Sequence, residues 1–341
     1  MARDVKAFIC GCKGLELDAD ERAFLALHNP WGLILFKRNI GDRAQVAALV
    51  ATFREIVGRQ DAPVLIDQEG GRVQRMGPPH WPKYPPAARF NELAAGRPQD
   101  GIALAGLAAR LMAHDLAEVG INVDCLPVLD VPSPQGHQVI GDRAYARDPE
   151  LVAAYGRAVA EAMMAGGVLP VIKHIPGHGR ALADSHLELP RVSASRVELQ
   201  AADFVPFQHL RDMPLAMTAH VVYEAIDPDR PGTTSPVIIG RIIRGEIGFD
   251  GLLMTDDLSM KALSGSFADR TRAAFAAGVD VGLHCNGDLA EASQVAAATP
   301  YLVGRSAERA TAALARLSVR GQDFDLVDAR QRVESLLAGM G

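Results

Sequence analysis

Eight short apolar runs, spaced along the chain and separated by helical patterns, restrict the possible folds more than any other feature. They occupy residues 7–10, 32–36, 63–66, 123–129, 168–172, 215–219, 252–255 and 279–283. Each is four to seven residues long and continuous rather than alternating. Continuous short runs are the form taken by strands buried on both faces, as in a parallel sheet. Between them lie amphipathic stretches with capping signals. Asp42 can cap a helix whose Val46, Leu49, Val50, Phe53 and Val57 keep a three-and-four spacing. Ser235-Pro236 reads as an N-cap and a first-turn proline leading Val237, Ile238, Ile242 and Ile243 toward Gly248. Residues 264–277 form a third such segment, closed by Gly278.

Strand and helix alternating eight times is the sequence form of an α/β protein, a single (β/α)8 TIM-type barrel. The barrel is expected over about residues 5–300. Extra C-terminal helices are expected at 306–317 and 326–337, so that 1–341 is one catalytic barrel domain. The 341 residues, 48% hydrophobic and 22% charged, suit a globular chain with a sizeable core. The net charge of −6, with no basic stripe, argues against nucleic acid as a partner. The longest apolar candidate, around 151–172, is interrupted by Arg157 and Glu161, so no membrane span is expected. Residues 1–14 show no signal-peptide pattern, which points to a cytoplasmic protein. Cys10, Cys12, Cys125 and Cys285 read as reduced core cysteines.

In a barrel the chemistry gathers where strands end, so the polar residues following each run are the informative ones. The third run leads into Asp67-Gln68-Glu69-Gly70-Gly71-Arg72, and the fifth into Lys173-His174. The sixth leads into His220, and the seventh into Asp256-Asp257. The segment Lys173-His174-Ile175-Pro176-Gly177-His178-Gly179, followed by Asp184-Ser185-His186, packs three histidines, a lysine and an aspartate into fourteen residues. His174 and His178 are spaced like a helical metal-ligand pair, but Pro176, Gly177 and Gly179 argue for a loop. Asp184 and His186 stand two apart, which in an extended loop puts both side chains on one side. A carboxylate there would orient the imidazole and support its protonated form.

The run from Lys173 to His186 resembles the signature of the β-N-acetylhexosaminidases of glycoside hydrolase family 3. Three further segments, in the same order, resemble that family. They are Ile66-Asp67-Gln68-Glu69-Gly70-Gly71-Arg72-Val73-Gln74-Arg75, Val139-Ile140-Gly141-Asp142-Arg143-Ala144-Tyr145 and Thr255-Asp256-Asp257-Leu258-Ser259-Met260. Thr255 stands where serine is usual and Ile175 where phenylalanine is common; neither removes a functional group. The resemblance covers about residues 5–300.

The resemblance implies a retaining exo-β-N-acetylglucosaminidase acting by double displacement, with Asp256 as nucleophile and His186, partnered by Asp184, as acid/base. It implies sugar contacts from Asp67, Arg75, Arg143, Lys173 and His174. Glu69, Asp130, His178 and His220 are left to supporting hydrogen bonds, and Asp257 to a structural role. No cofactor or metal is expected. The implied substrate is a small molecule, an N-acetylglucosaminyl-anhydro-muramyl peptide met in peptidoglycan recycling, and the protein is expected to be a monomer. Three other readings compete. One is a metal-dependent barrel hydrolase using His174, His178, His186 and Asp256. Another is a sugar-binding protein without catalysis. The third is a β-glucosidase of the same family, whose members usually take their acid/base from a second domain.

Overall fold

The eight apolar runs become eight strands: β1 (Lys6–Gly11), β2 (Pro30–Leu35), β3 (Val64–Ile66), β4 (Val123–Asp124), β5 (Leu169–Ile175), β6 (Leu215–Thr218), β7 (Leu252–Asp257) and β8 (Val281–His284). They pair in parallel, in chain order, around a closed ring completed by β8 against β1. The computed structural model describes residues 4–94, 96–133, 139–181, 183, 185, 187–318 and 324–338. The chain is therefore a (β/α)8 barrel.

The strands read as uninterrupted because each has two apolar neighbours, the barrel interior and the helical ring. Ile9, Leu65, Val171, Met217, Met254 and Leu283 belong to the interior cluster. Phe8, Ile66, Ile172, Ala216 and Leu253 belong to the layer packed against helices. Successive residues thus alternate between two buried surfaces. The fourth run is shorter as a strand than its sequence suggests. Regular pairing stops at Asp124, and Pro127, which has no N–H to donate, offers only its carbonyl to Lys173 N at 3.1 Å.

Asp42 caps the helix Arg43–Val57 by accepting from Gln45 N, and its five spaced apolar residues are all buried. The helix expected from residue 264 begins at Phe267 instead, because Ser266 and Asp269 form a reciprocal capping box. Ser235 Oγ accepts from Ile238 N, and Gly248 closes that helix with φ +77°. The segment Ile238–Ile247 is wound as a π-helix, for which the sequence gives no physical reason. The terminal helices are Gly304–Ala315 and Leu326–Ala338. All four cysteines are buried and free.

The helix Gly304–Ala315 closes the end of the barrel where the strands begin. Its Ala310 and Ala313 join the interior cluster. Asp280, at the entrance to β8 and 2% exposed, ties the parts together. Its carboxylate accepts from Leu253 N (2.9 Å), Arg244 (2.7 Å), Ser306 Oγ (2.6 Å) and Arg309 (3.1 Å). With that end plugged, only the opposite rim is open for chemistry. Replacing Asp280 with alanine leaves two guanidinium groups and a buried N–H short of an acceptor. Asp280→Ala is expected to lower stability by about 3 kcal/mol, read as a shifted urea midpoint. A midpoint unchanged from the parent would show that the terminal helix is not anchored here.

Candidate active site

Asp67 follows β3 directly and is held by a folded-back hairpin, Gln68–Gly70 against Val73–Gln74. Gly70 (φ +91°) and Gly71 (φ +58°) make the turn possible. A Cβ on Gly70 would lie 2.2 Å from Pro85 O, and one on Gly71 would lie 2.6 Å from Pro86 Cβ. Buried Gln68 sews the return strand down. Its Oε1 accepts from Arg75 N and Met76 N, and its Nε2 donates to Met76 O. The fold-back brings Arg75 to Asp67 at 2.9 Å and stacks its guanidinium 5.1 Å from the Phe36 ring centre.

Lys173, near the end of β5, is 2% exposed. Its ammonium lies 3.0 Å from Asp67 and 2.6 Å from Glu69. Glu69 in turn takes Arg143 through two bonds of 2.8 Å. The result is an unbroken ladder, Arg75–Asp67–Lys173–Glu69–Arg143, with three cations and two anions. Burial would raise the Asp67 carboxyl, but Lys173 and then Arg75 hold it well below its usual range. Burial would raise Glu69 too, yet Arg143 and Lys173 bring it down to about 2. Beneath them Asp124 accepts from Gln68 N, and burial pushes its carboxyl well up.

His174, next on β5, gives its Nδ1 to Asp130 at 2.7 Å. The other Asp130 oxygen accepts from the backbone N–H groups of His174 (3.2 Å) and His178 (2.7 Å). Asp130 therefore fixes both the ring and the turn that follows. His178 Nε2 meets Ser185 Oγ at 3.1 Å, and Ser185 O accepts from Ala262 N at 3.3 Å. Asp184 and His186, on either side of Ser185, lie outside the described residues.

Asp256 and Asp257 end β7 and line the same pocket. Their surroundings differ. The Asp257 carboxylate accepts from Ser259 N (3.0 Å), Ser259 Oγ (2.5 Å) and Cys285 N (3.1 Å). Asp256 Oδ1 accepts the N–H of Asp257 at 2.8 Å. Thr255 Oγ1 accepts from Leu283 N, stitching β7 to β8 with the hydroxyl that a serine would also supply. His220 is taken up by Thr233 Oγ1 (2.7 Å) and Asp257 O (3.0 Å).

The pocket has a volume of about 370 Å3. Asp67, Arg75, Arg143, Lys173, His174 and Asp256 all line it. Glu69, which sequence reasoning left without a specific partner, bridges Lys173 and Arg143. Its only signal was its place two residues after Asp67. Phe36, Arg38 and Asn286 complete the wall and were missed. Among the described residues no group of three or more His, Cys, Asp or Glu is arranged to hold a metal ion. His174 and His178 are bonded instead to Asp130 and Ser185.

Residues 7–317 match the glycosyl hydrolase family 3 N terminal domain. The chain belongs to glycosyl hydrolase family 3. It is similar to the "Beta-hexosaminidase" of Methylococcus capsulatus, at 43% identity over 82% of this chain and 83% of that one. The "Beta-hexosaminidase" of Stenotrophomonas maltophilia is 38% identical over 94% and 95%. Among solved structures, NagZ from Neisseria gonorrhoeae in complex with N-trifluoroacetyl-D-glucosamine superposes with a TM-score of 0.86, at 29% identity and 98% coverage of both chains. The protein is accordingly a glycoside hydrolase. No described helix is long and apolar enough to cross a membrane.

Burial, followed by the neighbouring His174, lowers His178 from 6.5 to about 4. Its folded value is depressed, so the unfolded chain binds a proton between those two values that the folded chain does not. The stability is complete above about pH 6.5 and is lost as pH falls toward 4. His178→Gln is expected to remove up to about 1.4 kcal/mol per pH unit from that slope. Urea titrations from about pH 7 to about pH 4.5 measure it, and an unaltered slope would mean that His178 protonates freely in the folded protein.

Proposed function

We propose that this glycoside hydrolase is a retaining exo-β-N-acetylglucosaminidase that removes non-reducing N-acetylglucosamine through a covalent glycosyl-enzyme. The observation that carries the reading is the pairing, in one pocket, of Asp256 with the ladder from Arg75 to Arg143. The ladder is fixed by its ion pairs and buried at Lys173 and Glu69, and it offers ammonium, guanidinium and carboxylate groups suited to ring hydroxyls. His174 has a free Nε2 among the described residues and can add a further contact. The complex of the Neisseria NagZ with N-trifluoroacetyl-D-glucosamine supports an N-acylated glucosamine as the bound sugar.

In this reading the Asp256 carboxylate attacks the anomeric carbon. The bond to the leaving oxygen breaks, and that oxygen takes a proton from His186, which Asp184 orients. Water then attacks the glycosyl-enzyme and gives a proton back to His186, freeing Asp256 and releasing the β-anomer. The cycle uses side chains and water alone. The enzyme works as a monomer and a single catalytic barrel domain, with 301–341 as its terminal helices. It acts in the cytoplasm on N-acetylglucosaminyl-anhydro-muramyl peptides released during peptidoglycan recycling.

Turnover of 4-nitrophenyl N-acetyl-β-D-glucosaminide, set against the matching glucoside, tests the substrate assignment. Asp256→Ala is expected to reduce it by about a thousandfold or more while lowering the unfolding midpoint less than Asp257→Ala does. Asp257→Ala strips an acceptor from Ser259 N, Ser259 Oγ and Cys285 N and is expected to lower the midpoint first. If the losses fall the other way round, Asp257 is the nucleophile. Proton NMR showing the α-anomer first would rule out double displacement.

The acid/base role is tested with a leaving-group series. A sugar needs its departing oxygen protonated, whereas an acidic phenol does not. His186→Ala is expected to lose far more activity on a disaccharide than on a dinitrophenyl glycoside, and azide should restore turnover of the latter. Asp184→Ala should show the same pattern more weakly. A uniform loss with no azide effect would place the acid/base elsewhere.

A further inference from the structure

The pocket has two unlike walls. One is the ladder on β3 and β5, with Lys173, Glu69 and His174 buried. The other runs across the ends of β2 and β8 and presents Phe36, Arg38, Cys285 and Asn286. Arg38 is exposed and therefore lies toward the mouth, while the ladder lies toward the floor.

Arg38 is held in place without a counter-charge. Its Nε donates to Cys12 O at 2.8 Å, and one terminal nitrogen donates to Cys285 O. The guanidinium stacks 5.0 Å from the centre of the Phe36 ring, whose ring also receives Arg75. Among the described residues no carboxylate pairs with Arg38, and its Nη1 has no protein partner. The anchoring points are themselves fixed. Cys285, whose carbonyl holds Arg38, donates its N–H to the Asp257 carboxylate. The side chain of Asn286 meets Ser259 Oγ at 3.1 Å and Glu291 at 2.8 Å. An arginine pinned on two carbonyls and a ring has already lost much of its rotamer freedom, so a ligand oxyanion could use its free edge at little further entropic cost.

We infer that Arg38 is a specificity residue for the leaving group, binding a carboxylate carried by the aglycone at the pocket mouth. The inference rests on the glycosidase reading above and narrows it. In an exo-acting pocket the sugar enters first and the aglycone remains at the opening, where Arg38 stands. The substrate class so defined is an acidic glycoside of N-acetylglucosamine, and the carboxylates of a muramyl peptide satisfy it.

The test compares two near-isosteric aglycones, 4-carboxyphenyl and 4-carbamoylphenyl N-acetyl-β-D-glucosaminide. The readout is the ratio of their kcat/KM values, acid over amide, which is independent of how much of each preparation is folded. Arg38→Met is expected to lower that ratio about five- to tenfold relative to the parent. Arg38→Lys, which keeps the charge but not the fork, should fall between the two. Raising the salt concentration should lower the parent's ratio and leave that of Arg38→Met nearly unmoved. A ratio unchanged by Arg38→Met, whatever happens to the two rates, overturns the inference and leaves Arg38 as a brace for the ends of β1 and β8. If the parent cleaves neither glycoside, the glycosidase reading itself fails, and the inference falls with it.

Discussion

A lysine with almost no exposure to solvent sits between two carboxylates, and the site is built around that contact. Taking an ammonium out of water costs several kcal/mol, which Lys173 offsets only because Asp67 and Glu69 lie within 3.0 Å. Those two carboxylates would in turn repel each other if left alone, and Arg75 and Arg143 stand on their outer sides. The parts come from β3, its hairpin, β5 and the loop at residue 143. Only Arg75–Asp67 is made within one hairpin; the contacts of Lys173 and Arg143 join distant segments, so the ladder is completed only as the barrel closes. Once formed it is difficult to distort, because losing Lys173 leaves two neighbouring carboxylates without their shared buried cation. Rigid, pre-aligned charges of this kind bind a polar ligand without reorganising.

The other half of the site shows how two identical neighbours are given different surroundings. Asp256 and Asp257 are consecutive on one strand, and both reach the pocket. Three donors from Ser259 and Cys285 occupy Asp257, which thereby locks the end of β8 to the turn after β7. Its hydrogen bonds hold the wall in place, and the N–H of Asp257 rests on Asp256. The hydroxyl of Thr255 adds a further tie to β8. Sequence adjacency therefore serves geometry: the backbone N–H of Asp257 also fixes the carboxylate of Asp256.

The barrel was legible because burial on both faces writes itself into sequence as runs without alternation, and the rim because polar residues follow those runs directly. Lys173, His174, Asp67 and Asp256 could be singled out on that ground. The ion pairing of Glu69 could not, since its partners lie at positions 143 and 173 and meet it only through barrel closure. Asp124 was hidden inside a run that otherwise read as apolar, and its carboxyl sits below the ladder where burial raises it. Arg38 follows the second run and nothing local in the sequence singles it out. What marks it is a pair of carbonyls 26 and 247 positions away. Local pattern shows which residues reach the rim; it does not show which of them pair once there.

The ladder also bears on the proposal that His186 is the acid/base. The ladder carries three cations and two anions, while the Asp256 and Asp257 carboxylates line the same pocket and Asp130 holds His174. Direct pairing with Lys173, Arg75 and Arg143 holds the Asp67 and Glu69 carboxyls ionised far below neutral pH. A carboxylic acid brought to the same place would feel the same pull and would have no proton to give at pH 7. An imidazole starts about two units higher, near 6.5, so it can tolerate some lowering and still exchange a proton near neutrality. The aspartate two residues before it would counter that lowering directly by favouring the protonated ring. A carboxylic acid paired to these cations would thus be a poor proton donor at neutral pH, which favours the histidine proposed above.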